Sequence, residues 1–231
     1  MAELNIDLHP AQLEIFKSDK RFKIVVAGRR FGKSYLSAWL LLINAIQSKS
    51  KDVFYIAPTF QQAKDIMWAM LKDLGQDLII QAYENTAVLT LINGRKIYLK
   101  GSDRPETLRG TGISYVVLDE YASMKPVVWE QIIRPSLADV QGRALFIGTP
   151  AGKNHFFDLY NDAIDDDDWD RFQYKSIDNP FLPASEIKAS KKNMSTMSFR
   201  QEFEASFETF TGGIFKESWF KLEEEPEEGS Y

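Results

Sequence analysis

The amino-acid sequence predicts an α/β domain in which helices flank a mostly parallel sheet, followed by a small helical subdomain. Short apolar runs alternate with helical patterns through the first two-thirds of the chain, which is typical of βαβ units. Residues 115–118 and 144–147 are almost continuously apolar, as expected of parallel strands that are buried on both faces.

Local patterns mark the individual elements. Thr59 has the properties of a helix N-cap, and Gln62 stands at capping-box spacing from it. Asn93-Gly94 is suited to a type I′ hairpin turn because both residues tolerate positive φ. The predicted strands are residues 22–27, 52–57, 86–92, 96–100, 115–118, 144–147 and 172–176, and the predicted helices are residues 34–47, a segment that starts at 59, 154–162, 185–194 and 198–207.

The same patterns divide the chain into three segments. Residues 1–150 are predicted to form the core that contains the sheet, and residues 151–215 a small lid or linker subdomain. Residues 216–231 are rich in glutamate and follow Gly212-Gly213, so they are predicted to be an acidic linker toward a further domain.

Composition excludes several classes of function. The chain is 44% hydrophobic and 26% charged, as expected of an ordinary globular protein. It has no cysteine, which excludes disulfides, a thiolate nucleophile and cysteine-based metal sites, and its two histidines are far apart in sequence. The longest apolar run is too short to span a bilayer and no secretory signal is recognisable, so a cytosolic protein is expected.

Charge is distributed unevenly along the chain. The net charge is −5, yet residues 1–110 carry 16 basic against 11 acidic side chains, and residues 111–231 carry 12 against 22. Much of the acidity lies in two clusters, residues 165–170 and 223–228, of the kind that forms solvated loops or tails. A polyanionic partner is therefore compatible with the sequence, although the charge does not require one.

Residues 27–34, AGRRFGKS, resemble a phosphate-binding loop with alanine at the first glycine position. A buried strand before the loop and a helix after it provide the context that such a loop needs, because backbone N–H groups and the helix N-terminus together bind phosphate. In this pattern the backbone near Gly28 and Gly32 surrounds the phosphates, Lys33 reaches the β- and γ-phosphates, and Ser34 ligates Mg²⁺.

Two arginines in the loop are unusual. Arg29 and Arg30 would lie near the γ-phosphate, where either could contact the nucleotide. The alternative is that one or both pair with surface carboxylates.

Asp119-Glu120 follows the apolar run 115–118 and is the second chemical signal. At the carboxyl edge of a parallel sheet, Asp119 would lie beside the phosphate loop and hold Mg²⁺, directly or through water. Glu120 would orient or deprotonate the attacking water.

Three weaker signals have ordinary alternatives. Gln12 could read adenine with its amide, or it could be an exposed helix residue. Thr149 could sense the γ-phosphate, or it could be a turn residue. Arg109, in a glycine-containing loop, could act on a neighbouring subunit's nucleotide, or it could have no special role.

Together these motifs resemble the ATPase domain of large terminase subunits from tailed bacteriophages. The resemblance covers about residues 8–215 and rests on the ordered segments 28–34, 55–59, 108–110, 116–120 and 148–150. It implies a RecA-like fold of the ASCE class of P-loop NTPases. It further implies an adenine-contacting Gln12, a phosphate-sensing Arg29, a catalytic Glu120, a coupling Thr149 and an Arg109 that acts in trans.

The resemblance also implies a biological role. Such a domain uses ATP and Mg²⁺ to move double-stranded DNA into a procapsid, with a small terminase subunit and a portal protein as partners. The active form would be a homo-oligomeric ring, a pentamer, in the cytoplasm of the bacterial host, with no membrane involved. Family members carry a C-terminal nuclease domain, but nuclease activity is not expected from these residues.

Two other functions share some of these motifs. A superfamily 1 or 2 helicase would have the same loop and acidic pair, followed by a second RecA-like domain. A non-hydrolysing, nucleotide-gated DNA-binding scaffold would need the loop but would have no use for Glu120.

Overall fold

The computed structural model describes residues 6–110 and 112–208. Within these ranges an eight-stranded sheet is flanked by helices. The strands are β1 Phe22–Ala27, β2 Asp52–Ala57, β3 Ile79–Tyr83, β4 Val88–Leu91, β5 Lys96–Gly101, β6 Ile113–Asp119, β7 Arg143–Gly148 and β8 Trp169–Tyr174. The helices are α1 Pro10–Lys17, α2 Lys33–Gln47, α3 Phe60–Leu74, α4 Arg134–Ser136, α5 His155–Asp162, α6 Ala184–Asn193 and α7 Thr196–Phe203.

The sheet has the strand order β3-β4-β5-β2-β6-β7-β1-β8. Strands β5, β2, β6, β7, β1 and β8 are mutually parallel, and β3 and β4 form an antiparallel extension. The carboxyl ends of the six parallel strands therefore lie along one edge, which confirms the predicted mostly parallel sheet.

Apolar layers cover both faces of the sheet. On one face, α1, α2 and α3 pack over alternate residues of the strands, such as Val25 and Val117. On the other face, a π-helical turn at Val128–Ile133 and α5 cover the remaining rows. Every residue of β1 is buried, as the continuous apolar pattern predicts.

Most predicted boundaries agree with the structure to within a few residues. The strands predicted at 22–27 and 52–57 are β1 and β2 without change. The predicted N-cap is also confirmed, because the Thr59 hydroxyl accepts from the Gln62 amide and Gln62 returns a bond to the Thr59 N–H. The edge strand β3 is missed because most of its residues are exposed and its sequence shows no clear strand pattern.

The hairpin between β4 and β5 is present, but the predicted turn type is wrong. Gly94 has a positive φ of 79°, whereas Asn93 does not share it, so the two-residue type I′ geometry does not form. The Asn93 side chain instead donates to the carbonyls of Ala45 and Ile46, at 2.9 and 3.0 Å, near the end of α2. Tertiary contacts with this helix end thus override the local turn preference.

The predicted boundary at residue 150 is wrong for the sheet. β8 lies beyond it and pairs in parallel with β1 over its whole length, so the sheet continues into the segment that was predicted to be a separate subdomain. The strand starts at Trp169, inside the acidic stretch that suggested a loop. Helices α6 and α7 agree with the helices predicted after it.

Residues 209–231, which include the predicted acidic linker 216–231, lie outside the described residues. Among the residues that are described, no helix combines the length and the apolar character needed to cross a membrane.

Candidate functional site

A cleft of about 760 Å³ opens at the carboxyl edge of the parallel strands. The ends of β1, β6 and β7 supply its floor, and these three strands are close neighbours in the sheet because β7 pairs with both of the others. The cleft is lined by Arg29, Arg30, Phe31, Gly32, Lys33, Ser34, Tyr35, Met70, Glu120, Ala122, Ser123, Thr149, Pro150, Ala151, Gln201 and Glu202.

The loop between β1 and α2 is held in an open, left-handed form. Arg30 has a φ of 62° and Gly32 a φ of 98°, so the loop turns twice through a region that favours glycine. A Cβ at Gly32 would also lie only 2.5 Å from the amide nitrogen of Gln12. The helix begins at Lys33, which places its positive N-terminal end at the cleft.

Lys33 lies at the centre of the site. Its Nζ donates to the carbonyls of Ala27 and Gly28 at 2.9 and 3.1 Å and to the hydroxyl of Thr149 at 3.1 Å. Burial lowers the pKa of Lys33, and the nearby Glu120 and Asp119 carboxylates partly oppose this shift. A buried cation between two carboxylates and a helix N-terminus is suited to bind an anion.

Asp119 ends β6 beneath the cleft and is almost fully buried. Its carboxylate accepts a hydrogen bond from the Tyr55 hydroxyl and another, of 2.9 Å, from the Glu120 N–H. Burial raises the pKa of Asp119, although both hydrogen bonds and Lys33 favour its charged form. Tyr55 was not predicted as a site residue; the only signal for it was its place in the segment 55–59.

Glu120 turns sharply out of the strand into the cleft. Its φ of 52° is left-handed, a conformation that costs a non-glycine residue about 1–3 kcal/mol and is most often kept at functional sites. One carboxylate oxygen accepts from the Thr149 N–H at 3.4 Å. Burial, and then the Asp119 carboxylate, raise the pKa of Glu120, while Lys33 opposes the shift.

The back of the phosphate loop packs against residues that follow β8. The Ser176 hydroxyl donates to the Arg29 carbonyl at 2.6 Å, and the Asn179 side chain donates to the Arg30 carbonyl at 2.7 Å. A Cβ at Gly28 would lie 2.5 Å from the Ser176 hydroxyl oxygen and 2.8 Å from a backbone carbonyl of α7. Gly28 is therefore required for this close approach, and it does not line the cleft as predicted for a phosphate-contacting residue.

Arg29 is held by α7. Its backbone N–H donates to the Glu202 carbonyl at 2.7 Å, and its guanidinium forms an ion pair with the Glu202 carboxylate. The sequence allowed two interpretations for the loop arginines, and for Arg29 the structure has the carboxylate pairing. Glu202 and Gln201 both line the cleft, and sequence reasoning missed both because helix α7 carries no motif.

Gln12 is placed differently from both sequence interpretations. It is buried rather than exposed, and its amide donates to the Gly32 carbonyl at 2.9 Å and accepts from the His9 N–H at 3.2 Å. It braces the phosphate loop from below and does not line the cleft. A direct contact between this amide and adenine is therefore not supported by the structure.

Arg30 and Arg109 are both exposed. Arg30 lines the cleft, and in the described residues its side chain forms no ion pair. Arg109 lies outside the cleft, at the end of a short 3₁₀ turn. The structure thus brings together Lys33, Ser34, Asp119, Glu120 and Thr149 and leaves Arg109 apart.

The residues present fit a magnesium ion. Ser34 lines the cleft in the first turn of α2, and each Asp119 oxygen accepts only one hydrogen bond, so lone pairs remain for a cation or its waters. No group of three or more acidic or histidine side chains within the described ranges forms an all-protein metal site. This is expected for Mg²⁺, which usually binds through one or two protein ligands, water and substrate phosphates.

A parallel sheet with a phosphate loop after β1, and an acidic pair two strands away, defines a P-loop NTPase of the RecA-like class. Comparison with known proteins places it more narrowly. Residues 24–222 match the family described as terminase large subunit, T4likevirus-type, N-terminal, and the chain belongs to that family.

Relatives agree with this assignment. The large terminase subunit of Escherichia phage T5 is 29% identical over 227 residues, which cover 93% of this chain and 51% of that protein. That of Thermus phage G20c is 27% identical over 172 residues, covering 66% of this chain and 36% of its own length. The chain thus spans about half or less of the length of these curated relatives.

Solved structures show the same fold. The ATPase domain of the Thermus phage P74-26 large terminase aligns with a TM-score of 0.77 at 24% identity, covering 87% of this chain and 94% of that one. The large terminase of another thermophilic bacteriophage, in complex with ADP, aligns with a TM-score of 0.76 at 17% identity, covering 87% and 54%. These similarities confirm the predicted RecA-like architecture.

Proposed function

We propose that this domain hydrolyses ATP with Mg²⁺ and uses the energy to move double-stranded DNA into a viral procapsid. One observation carries the proposal: Lys33, Ser34, Glu120 and Thr149 line a single cleft, with Asp119 directly beneath it. The large terminases that this chain resembles include structures titled as complexes with ADP and with ATP-γ-S.

ATP binding follows from the loop. The N–H groups of residues 29–34 and the N-terminus of α2 would surround the β- and γ-phosphates. Lys33 would exchange its carbonyl and Thr149 hydrogen bonds for phosphate oxygens, and the phosphate charge would offset the cost of its burial. The Ser34 hydroxyl and the Asp119 carboxylate would hold Mg²⁺, which neutralises charge on the β- and γ-phosphates.

Hydrolysis is assigned to Glu120. Its carboxylate enters the cleft from the end of β6, and its raised pKa makes it a better proton acceptor than an ordinary glutamate. It would orient the attacking water and accept its proton. Thr149 contacts both Lys33 and Glu120, so it is placed to report on the γ-phosphate.

Residues 151–208 are proposed to act partly as a lid. Helix α7 contributes Gln201 and Glu202 to the cleft, and Glu202 holds Arg29 of the phosphate loop. When a γ-phosphate is bound, Arg29 would have two competing anionic partners. Transfer of Arg29 from Glu202 to phosphate would couple the state of the nucleotide to the position of α7.

The proposed assembly is a homo-oligomeric ring, by resemblance a pentamer, working with a portal protein and a small terminase subunit in the host cytoplasm. Arg109 is exposed and outside its own cleft, which suits a residue that acts on the nucleotide of a neighbouring subunit. Such arginines contribute about 10³–10⁵ in rate where they operate.

Glu120→Gln tests the catalytic assignment. We expect the variant to bind ATP with near-normal affinity and to lose about 10²–10⁴-fold in turnover, measured as steady-state phosphate release with and without duplex DNA. Glu130→Gln, at an exposed glutamate outside the cleft, is the matched control and should retain turnover. Normal turnover in Glu120→Gln would refute hydrolysis at this site and leave a nucleotide-gated scaffold.

Mixed subunits test the role of Arg109. An Arg109→Ala subunit beside a Glu120→Gln subunit can form one intact active site from two inactive chains, so mixing should partly restore phosphate release. No restoration at any ratio would place Arg109 within its own subunit or outside catalysis.

A further inference from the structure

A second cavity, of about 180 Å³, lies at the amino-terminal edge of the same sheet. The turn before β1, the last turns of α2 and the first residues of β6 and β7 surround it. Residue 23 of β1 lines this cavity, whereas the nucleotide cleft begins beyond residue 27 at the other end of the strand. Four residues of strand separate the two ends by about 13 Å, so the cavities are distinct.

Three neighbouring strands place polar side chains on one face at this edge. Tyr115 of β6 is directly in register with Arg143 of β7, and Lys23 of β1 lies on the next strand. Further along the same face, the strands present apolar residues such as Val117 and Leu145 to the core. The polar group is thus confined to the strand starts.

The charge around this cavity is of one sign. Lys20, Arg21, Lys23 and Arg143 line it, and none of the residues that line it is acidic. In the described residues none of these four cations forms an ion pair. Arg21 donates to the Gly142 carbonyl, and Arg143 donates to backbone carbonyls of the turn, so neither guanidinium is neutralised by a carboxylate at contact distance.

Two buried groups in the cavity have unused hydrogen-bonding capacity. The Tyr115 hydroxyl is fully buried and has no partner in the described part of the chain. Lys23 is 5% exposed, and its Nζ donates to the Ile15 carbonyl at 2.9 Å, which uses one of three N–H donors. Burial and the nearby Arg143 lower the pKa of Lys23 to about 8, although Asp170 and Asp19 at longer range oppose the shift.

We propose that this cavity binds a phosphate group, recognised by Lys23, Arg143 and the Tyr115 hydroxyl. Clustered cations and an unpaired buried hydroxyl donor are the groups that a tetrahedral oxyanion requires, and a guanidinium can bind two of its oxygens at once. The volume limits the ligand to this group, because pockets for whole nucleotides and other ligands of that size are usually about 300–1,000 Å³. Inorganic phosphate and one phosphodiester of a nucleic acid share this chemistry.

Thermal unfolding in inorganic phosphate tests the site. Lys33→Ala is used as the background, so that the phosphate loop does not contribute, and sodium chloride at equal ionic strength is the reference. We expect phosphate at about ten times its dissociation constant to raise the Tm by about 3–6 °C. If Lys33→Ala does not fold, the wild-type protein saturated with ATP-γ-S replaces it.

Variants locate the effect. Arg143→Gln should abolish the phosphate-dependent rise in Tm, and Tyr115→Phe should reduce it while leaving the fold intact. Arg104→Gln removes an exposed arginine elsewhere and should leave the rise unchanged. A rise that persists in Arg143→Gln and Tyr115→Phe would overturn the proposed site.

Duplex DNA distinguishes the two sources of phosphate. If the ligand is a DNA phosphodiester, Arg143→Gln should weaken duplex binding and reduce its dependence on log salt concentration by about one unit. If the ligand is free phosphate, duplex affinity should not change while the phosphate effect on Tm remains. If chloride and phosphate stabilise equally and duplex binding is also unchanged, the proposal is wrong.

Discussion

The phosphate loop, residues 27–34, has two faces that are built from different parts of the chain. On the cleft face, Lys33 meets Glu120 and Thr149 at the ends of parallel strands. On the back face, Ser176 and Asn179 hold the loop through its carbonyls, although they lie 147 and 149 residues away in sequence. The cleft face carries the charges for chemistry, whereas the back face fixes the shape of the loop and ties it to α7.

This difference explains what the sequence reveals. The cleft face could be predicted because each of its side chains stands at a fixed offset from a buried strand, and parallel strands bring their carboxyl ends to one edge. The back face could not, because Ser176 and Glu202 occur in segments without a motif. Gly28 shows the ambiguity best: the phosphate-loop pattern accounts for a glycine there, but the close contact is with Ser176.

Gly28→Ala should have the largest effect on the back face. The added Cβ meets backbone as well as a hydroxyl, so the loop must shift, and overpacking of this kind costs about 1–3 kcal/mol. We expect a fall in Tm of about 3–9 °C together with weaker ATP binding. Gly112→Ala is the control, because its Cβ would meet only the movable Lys51 side chain. Equal behaviour of the two variants would mean that the back face does not shape the loop.

The cleft face should control the pH dependence of turnover. Glu120 must be deprotonated to accept a proton, and its pKa is raised, so the rate should fall tenfold per pH unit below that pKa. Lys33 must be protonated to bind phosphate, and its pKa is lowered, so activity should also fall on the alkaline side. The kcat/KM profile of the free enzyme should therefore be bell-shaped and narrower than ordinary glutamate and lysine would give. A flat profile from about pH 5 to 10 would contradict both assignments.

Glu202→Gln separates the two faces at the point where they meet. The ion pair with Arg29 is largely exposed, at 66% for the arginine side chain, so its loss should lower the Tm by about 3 °C at most. Removing a negative charge from the cleft and releasing Arg29 should tighten ATP binding about three- to tenfold, measured by titration calorimetry.

Glu208→Gln is the matched control for that experiment. It breaks the exposed pair between Arg200 and Glu208, beside the same helix but outside the cleft. Tighter ATP binding in both variants would indicate a general charge effect. Tighter binding in neither would remove Glu202 from the proposed exchange of Arg29 between carboxylate and phosphate.

Asp119→Asn should have the smallest effect on stability and the opposite sign. Because the folded state raises the pKa of Asp119, stability is lost as pH rises from the ordinary aspartate value through the folded value, and the loss persists at neutral pH. Asparagine keeps acceptors for Tyr55 and the Glu120 N–H without the charge. Without nucleotide we expect the Tm near neutral pH to rise by about 2–4 °C, a gain that disappears at about pH 3.

Tyr55→Phe provides the counterpart, because it keeps the buried charge and removes its hydrogen-bond donor. Its Tm should fall near neutral pH, since an underpaired buried carboxylate costs about 1–3 kcal/mol. In the double variant with Asp119→Asn this loss should shrink, because the amide needs the hydroxyl less than the carboxylate does. A full loss from Tyr55→Phe in both backgrounds would show that Tyr55 acts by packing alone. The cleft face would then carry no stability cost from Asp119, and its charges would be no harder to maintain than the neutral contacts behind the loop.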